Sequence, residues 1–241
     1  MSAPRGRPRP GVNRLVALLP PDSRERLLAH AQPVQLGLGH VVWPQDHSIT
    51  ALFLPTTAVF SLVVRMDDGR GVEAAPVGFE GAVGTALLLG ESRSPCEVVI
   101  QGAGHALRIP APTALRLAAE DPAIRDVLLR SAQVQMVQAS RSAACNRLHP
   151  VEERLARWLL HMHDWIWAEE LHLTHEFLAI MLGVRRASVT MAAGILQQAG
   201  LIGYQRGAIT VLDRTKLEDV ACEDYFAVRD AFERLLPLPP G

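Results

Sequence analysis

The sequence predicts an α+β chain: a β-rich N-terminal sandwich or barrel, one long helix, and a C-terminal winged helix-turn-helix. Three observations carry this expectation. Short apolar runs alternate with turn residues over residues 30–110, the texture of an all-β sandwich or barrel. No Gly or Pro interrupts Ala123 to Asn146, and the apolar residues there recur at a roughly helical period. The stretch HEFLAIMLGVRRASVTMAAGILQQAGLI, from His175 to Ile202, sets two helical segments around one glycine, with two arginines opening the second.

The β runs are VVW (41–43), ALFL (51–54), AVFSLVV (58–64), CEVVI (96–100) and HALRI (105–109). Asp67-Asp68-Gly69, Gly78, Gly90 and Gly102-Ala103-Gly104 separate them. Residues 112–121 then read as a short helix, and Pro122 suits the first position of a longer one. Along that helix Ile124, Val127, Leu128, Ser131, Val134, Val137 and Ala139 form a stripe. Such a helix spans over 30 Å at about 1.5 Å per residue, more than one small domain needs. The favoured reading is a dimer helix, with Val127, Ser131, Val134 and Val137 at the contact; the alternative is a connector packed on its own barrel.

Pro150 starts a further helix with Leu155, Trp158, Leu159 and Met162 on one side. His161 and His163 point to different faces two residues apart, so they do not make a metal pair and are expected at the surface or edge.

His175-Glu176 could open the H-E-x-x-H signature of a zinc hydrolase, but the second histidine is replaced by Ala179. A helix-turn-helix fits better. Thr174 offers an N-cap oxygen, and Glu176 suits the positive end of the helix dipole. Phe177, Leu178, Met181 and Leu182 give an apolar face, and Gly183 makes the turn. The second helix sends Val189, Ala192, Ala193 and Leu196 inward. Arg185, Arg186, Ser188 and Thr190 stand at its start, the part that enters a major groove. Arginine forks onto guanine or clamps phosphate, and hydroxyls suit phosphate oxygens. Residues 203–211 read as a hairpin wing presenting Arg206 at its tip. The alternative, a plain helical hairpin, does not account for cap, small residue, turn glycine, arginine pair and wing arriving in order.

Composition bounds the rest. The 241 residues, 49% of them hydrophobic, are ample for two domains. No apolar run is long enough to span a membrane without interruption, and the first 14 residues, rich in Arg and Pro, lack the apolar core of a secretory signal. Cys96, Cys145 and Cys222 are odd in number, lie far apart in sequence and form no C-x-x-C, so a reducing cytoplasm and no metal site are expected. The formal charge of −1 gives no bulk attraction to polyanions. Its distribution matters more: Phe177 to Leu212 contains no Asp or Glu but holds Arg185, Arg186 and Arg206, a locally cationic module. No nucleophile elbow or P-loop is present, so no catalytic activity is expected.

On LTHEFLAIMLGVRRASVTMAAGILQQAGLI followed by YQRGAITVLDR, the chain resembles the Crp/Fnr family of bacterial transcription regulators. The resemblance implies a β-barrel (jelly roll) of cyclic-nucleotide-binding type over residues 15–121; the Arg- and Pro-rich residues 1–14 before it read by composition as a disordered leader, the alternative being a basic arm that touches DNA. It implies a dimerisation helix over 122–149 and a winged helix-turn-helix with a C-terminal helix over 150–241. The implied partners are double-stranded DNA, a second copy of the chain and RNA polymerase, with no membrane. The competing reading is a small-molecule sensor with a degenerate winged helix that acts through protein contacts.

The chain departs from the family pattern in ways that bear on function. Arg186 matches the first base-reading arginine, but Ala187 replaces the usual glutamate and Met191 the later arginine, so family operators do not transfer. No cysteine precedes Cys96, so an iron–sulfur cluster is not expected. His30, His40 and His47 leave the haem-sensing branch open, although each reads as a surface or loop histidine. The family holds cyclic AMP with a Gly-Glu pair and an Arg-Ser/Thr-Ala segment. Here the corresponding positions are Gly84-Thr85 and Arg93-Ser94, the latter followed by Pro95, which has no N–H to donate. Cyclic AMP is therefore not expected in the usual mode.

Overall fold

The apolar runs of the first half become strands where their turn residues end them. The computed structural model of the chain describes residues 11–166, 170–205 and 207–238. After two short helices, α1 (Arg14–Leu18) and α2 (Pro21–Leu28), come β1 (Gln32–Leu36), β2 (Val41–Trp43), β3 (Ala51–Pro55), β4 (Val59–Arg65), β5 (Gly71–Val77), β6 (Glu97–Gly102) and β7 (Gly104–Pro110). They form two sheets, ordered β1-β7-β3 and β2-β6-β4-β5, the layered barrel that the sequence predicts. Trp43, Phe53 and Phe60 form a chain of tilted rings with centroids 5.7 and 5.6 Å apart in its core. Strand β5, which carries Pro76, was not among the apolar runs. At the sheet edge, a missing N–H costs no ladder bond.

The all-helical part follows as α3 (Ala111–Glu120), α4 (Pro122–Leu148) and α5 (Val151–Trp165). Asp121 caps α4: its Oδ1 accepts from the N–H groups of Ala123 (3.0 Å) and Ile124 (3.4 Å), leaving Pro122 at the position where its absent N–H costs nothing. The chain then forms β8 (Glu170–His172), α6 (His175–Leu182), α7 (Arg186–Gln198), β9 (Ile202–Gln205), β10 (Ala208–Val211), α8 (Arg214–Val220) and α9 (Asp224–Leu235). Two compact units result. One takes the residues up to 62, 76–137 and the chain end from 230; the other takes 63–75 and 138–229.

Four expectations need correction. The leader does not extend to residue 14, although residues 1–10 lie outside the described residues. Asn13 and Arg14 are each 1% exposed. Asn13 caps α1 with its Oδ1 and donates its amide to the carbonyls of Pro55 and Gly81, both at 2.9 Å. The Arg14 guanidinium donates to Glu80 Oε1 (2.7 Å), to the Leu236 carbonyl (2.7 Å) and to Glu233 Oε1 (3.0 Å).

The second correction concerns the face of α4. Val127, Ser131 and Val134 are buried within the subunit, Val134 to 1% exposure, and Val137 is half-buried. Ser131 Oγ accepts from the N–H of Ala82 at 3.1 Å. The stripe chosen as a dimer contact is thus the face that α4 turns to its own barrel. A single stripe, even a periodic one, does not say whether its partner is the same chain or another.

Third, His161 is no surface histidine: it is 5% exposed, stacked on Trp165 (5.4 Å, 15°) and beside Tyr225 (5.2 Å). Burial in this aromatic site pushes its pKa down to about 3, so it stays neutral. His163 does differ, half-buried with its Nδ1 2.9 Å from Arg214. Fourth, Cys145 and Cys222 are far apart only in sequence. Both are buried, with sulfurs 3.4 Å apart.

Candidate nucleic-acid interface

Helix α6 begins where the Thr174 hydroxyl accepts from the Phe177 N–H (3.1 Å). It ends at Gly183, whose φ of +61° and ψ of +37° give the left-handed turn that L side chains resist. A Cβ there would come within 2.8 Å of Val72 Cγ2, so glycine is required twice over. The axes of α6 and α7 then meet at 103°, within the range of a helix-turn-helix. Val189, Ala192, Ala193 and Leu196 are the buried residues of α7, the four read from the sequence. On α6 the buried set is Leu178, Met181 and Leu182. Phe177 is half-buried, edge-on to Trp158 at 6.4 Å.

The opposite side of α7 faces solvent. Arg185 sits at the N-cap position and Arg186 opens the helix, both exposed; Ser188 is half-buried one turn in. Ala187 and Met191 are exposed beside them, Met191 to 70%. The two cations stand at the N-terminal, positive end of the helix, which suits phosphate. Arg65 and Arg70, from the β4–β5 hairpin tip, line one cleft of about 830 Å³ with Arg185, Arg186 and Glu176. The sequence reading missed these two arginines, since more than a hundred residues separate them from α7.

Thr190 is placed differently from expectation. Its hydroxyl donates to the Arg186 carbonyl (3.1 Å), and His175 Nδ1 lies 2.9 Å from the same oxygen. A hydroxyl has one proton, so Thr190 Oγ1 accepts from His175 and has no hydrogen left for a phosphate oxygen. The exposed Thr190 thus ties α7 to His175 in this structure. The His175 ring also stacks on Tyr204 of β9 at 4.5 Å and 19°. Partial burial first, and the charge of Arg186 second, push the His175 pKa below its usual value. No local sequence signal pairs His175 with a strand almost thirty residues later.

The wing is a three-stranded sheet ordered β8-β10-β9. Ala208 pairs with Gln205, and Gly207, just before β10, takes φ +82°, as glycine at a hairpin turn does. Arg206, expected to contact DNA, lies outside the described residues.

In the barrel, Gly84, Thr85 and Ser94 line a cavity of about 60 Å³ with Trp43, Cys96 and Gln135. Their polar atoms are turned inward on one another. Thr85 Oγ1 donates to Gln135 Oε1 (3.0 Å), Gln135 Nε2 to the Ala82 carbonyl, and Ser94 Oγ to the Cys96 carbonyl (2.6 Å). Arg93 does not line the cavity: it is exposed, and its N–H donates to the Glu91 carboxylate at 2.8 Å. The pair expected to hold a cyclic phosphate is therefore split, Ser94 lining the cavity and Arg93 standing outside it.

These features have counterparts in known proteins. Residues 153–220 match the family model of the Crp-like helix-turn-helix domain. No curated protein is similar to the chain by sequence at a significant level. Among solved structures, FixK2 from Bradyrhizobium japonicum superposes with a TM-score of 0.68 at 16% identity, covering 80% of this chain and 98% of its own. The c-di-GMP responsive global regulator CLP of Xanthomonas campestris gives 0.65 at 17%, covering 79% and 98%. A putative Crp/Fnr-family transcriptional regulator from Eubacterium rectale gives 0.65 at 19%, covering 84% and 94%. The chain thus carries a Crp-like helix-turn-helix domain within the fold shared by these regulators.

Proposed function

We propose that the protein is a sequence-specific, non-enzymatic transcription regulator that binds double-stranded DNA as a homodimer. One observation carries the DNA reading: Arg185 and Arg186 stand exposed at the start of α7, a helix without acidic residues whose opposite face is buried. Arg186 reads a base, and Arg185, Ser188 and the wing residue Arg206 hold phosphates. Ala187 and Met191, in place of longer polar readers, favour contact with thymine methyl groups.

The dimer uses the outward face of α4. Leu129, Gln133, Met136, Ser140 and Ala143 recur at alternating steps of four and three, the spacing of a two-stranded seam. Met136 is 65% exposed, and Gln133, Ser140 and Ala143 are exposed with it. Two α7 helices related by a two-fold axis then meet half-sites about one DNA turn apart. No single helix among the described residues is long and apolar enough to cross a membrane.

Any barrel ligand differs from cyclic AMP held in the usual mode. A cavity of about 60 Å³ falls far short of the roughly 300 Å³ at which small-molecule sites begin. Selection of genomic fragments on the purified protein, followed by footprinting, tests the function. Two protected half-sites about ten base pairs apart are expected; no enrichment over bulk DNA would favour the reading in which output runs through protein contacts.

A further inference from the structure

Four metal-binding side chains meet at the end of α4. Cys145 lies in its last turn, His149 just beyond it, Cys222 between α8 and α9, and Asp224 at the first position of α9. Their donor atoms all lie within 4.8 Å of one another. Cys145, Cys222 and Asp224 are at most 3% exposed, while His149 is half-buried. The sequence reading excluded a metal site because no two cysteines were close in the chain. The fold closes that gap.

The geometry suits a tetrahedral ion. The sulfurs are 3.4 Å apart, Cys222 Sγ is 3.9 Å from Asp224 Oδ2, and His149 Nδ1 is 3.4 Å from the same oxygen. Around zinc, ligand bonds of about 2.3 Å to sulfur and about 2.0 Å to nitrogen and oxygen give edges of roughly 3.8 Å between sulfurs and 3.3 Å between nitrogen and oxygen.

The hydrogen-bond pattern points the same way. His149 Nε2 faces the Glu223 carboxylate at 3.2 Å, which holds the ring proton on that nitrogen and leaves a lone pair on Nδ1. Nδ1 is buried beside the Cys145 thiol and faces Asp224 Oδ2 at 3.4 Å. A nitrogen and a carboxylate oxygen so directed need a cation between them, either a proton on Nδ1 or a metal ion held by both. Asp224 Oδ1 is held in turn by Arg141 at 3.4 Å. Each of these two ligands thus has the outer partner that orients metal-bound imidazole and carboxylate. Two thiolates and a carboxylate around a divalent ion leave a net charge of about −1, beside the Arg141 guanidinium.

We infer that Cys145, His149, Cys222 and Asp224 bind one zinc-type divalent ion in a closed, structural site, which fastens the end of α4 to the start of α9. Sulfur-rich tetrahedral donors select zinc over the oxygen-seeking cations. Four protein ligands leave no open position for a reacting water.

The test uses the full-length protein, purified under reducing conditions without chelator, and elemental analysis for zinc. One zinc per chain is expected. It should be lost in Cys145→Ser and Cys222→Ser and kept in Cys96→Ser. Replacement by cobalt(II) should give the intense visible bands of a tetrahedral ion and a near-ultraviolet thiolate-to-cobalt band. Asp224→Cys should strengthen that band as two thiolates become three, a readout that loss of folding cannot imitate. Absence of zinc together with no thiolate–cobalt spectrum in the wild type would overturn the site. So would a Cys145–Cys222 disulfide found by mass spectrometry in the reduced preparation, or equal zinc content in all variants.

Discussion

His175 donates to the Thr190 hydroxyl across the turn between α6 and α7, 2.9 Å from nitrogen to oxygen. One imidazole therefore joins three parts of the DNA-binding domain: the first helix, the recognition helix and, by stacking on Tyr204, the wing. Thr190→Val keeps the shape but removes both the acceptor for His175 and the donor to the Arg186 carbonyl. A loss of about 1–3 kcal/mol is expected from the orphaned partners, with affinity falling alike on specific and non-specific DNA. Thermal melts and binding isotherms on both DNAs check this. A stability-neutral variant with altered base preference would show that Thr190 reads DNA directly.

Arg186 and Arg185 should fail differently. Arg186→Ala should cost specific sites about 1–3 kcal/mol and relax one base position. Arg185→Ala should weaken all sequences alike and make the salt dependence shallower by about one unit. Binding series over salt, with specific and scrambled duplexes, separate the two.

Two substitutions on α4 distinguish its faces. Met136→Glu sets like charges against each other on the exposed seam, so a folded monomer is expected, with a dimer dissociation constant raised about tenfold or more, roughly 1.4 kcal/mol. Val134→Asp instead buries a carboxylate inside the subunit and should cost on the order of 4 kcal/mol of folding stability. Sedimentation beside thermal melts decides. Val134→Asp giving a stable monomer would return the dimer contact to the inner stripe.

Acid sensitivity should trace in part to His161. Its folded pKa of about 3 lies below the unfolded value of about 6.5, so between these values the unfolded chain binds the extra proton. Stability from this group is full above about pH 6.5 and falls by about 1.4 kcal/mol per pH unit on the way down. His161→Phe should remove roughly 2 kcal/mol of the loss between pH 6.5 and pH 5. Denaturant melts at the two pH values measure it; an unchanged acid limb would mean that His161 is already charged in the fold.

The sequence reading succeeded where the pattern is local. Cap, turn glycine and inward residues of the helix-turn-helix lie within thirty residues, and each has one dominant physical reason to be there. It failed where a side chain's meaning depends on a distant partner. The stripe on α4 showed its period but not which surface it would meet. His161 looked peripheral because nothing nearby announces Tyr225, and Arg14 looked like part of a charged leader because Leu236 is its partner. Cys145 and Cys222 are the sharpest case, 77 positions apart in the chain.

The Arg14 contact with the last turn of α9 also constrains how the protein is made. The barrel unit includes residues from 230 onward, so its first helix waits for a partner synthesised more than two hundred residues later. The barrel cannot complete its own packing during synthesis, unlike a domain whose partners are all upstream. A transcript truncated just after the wing would encode every DNA-contacting residue, yet leave a buried guanidinium facing no carbonyl. Such a product should be cleared by proteolysis rather than persist as a free helix-turn-helix fragment.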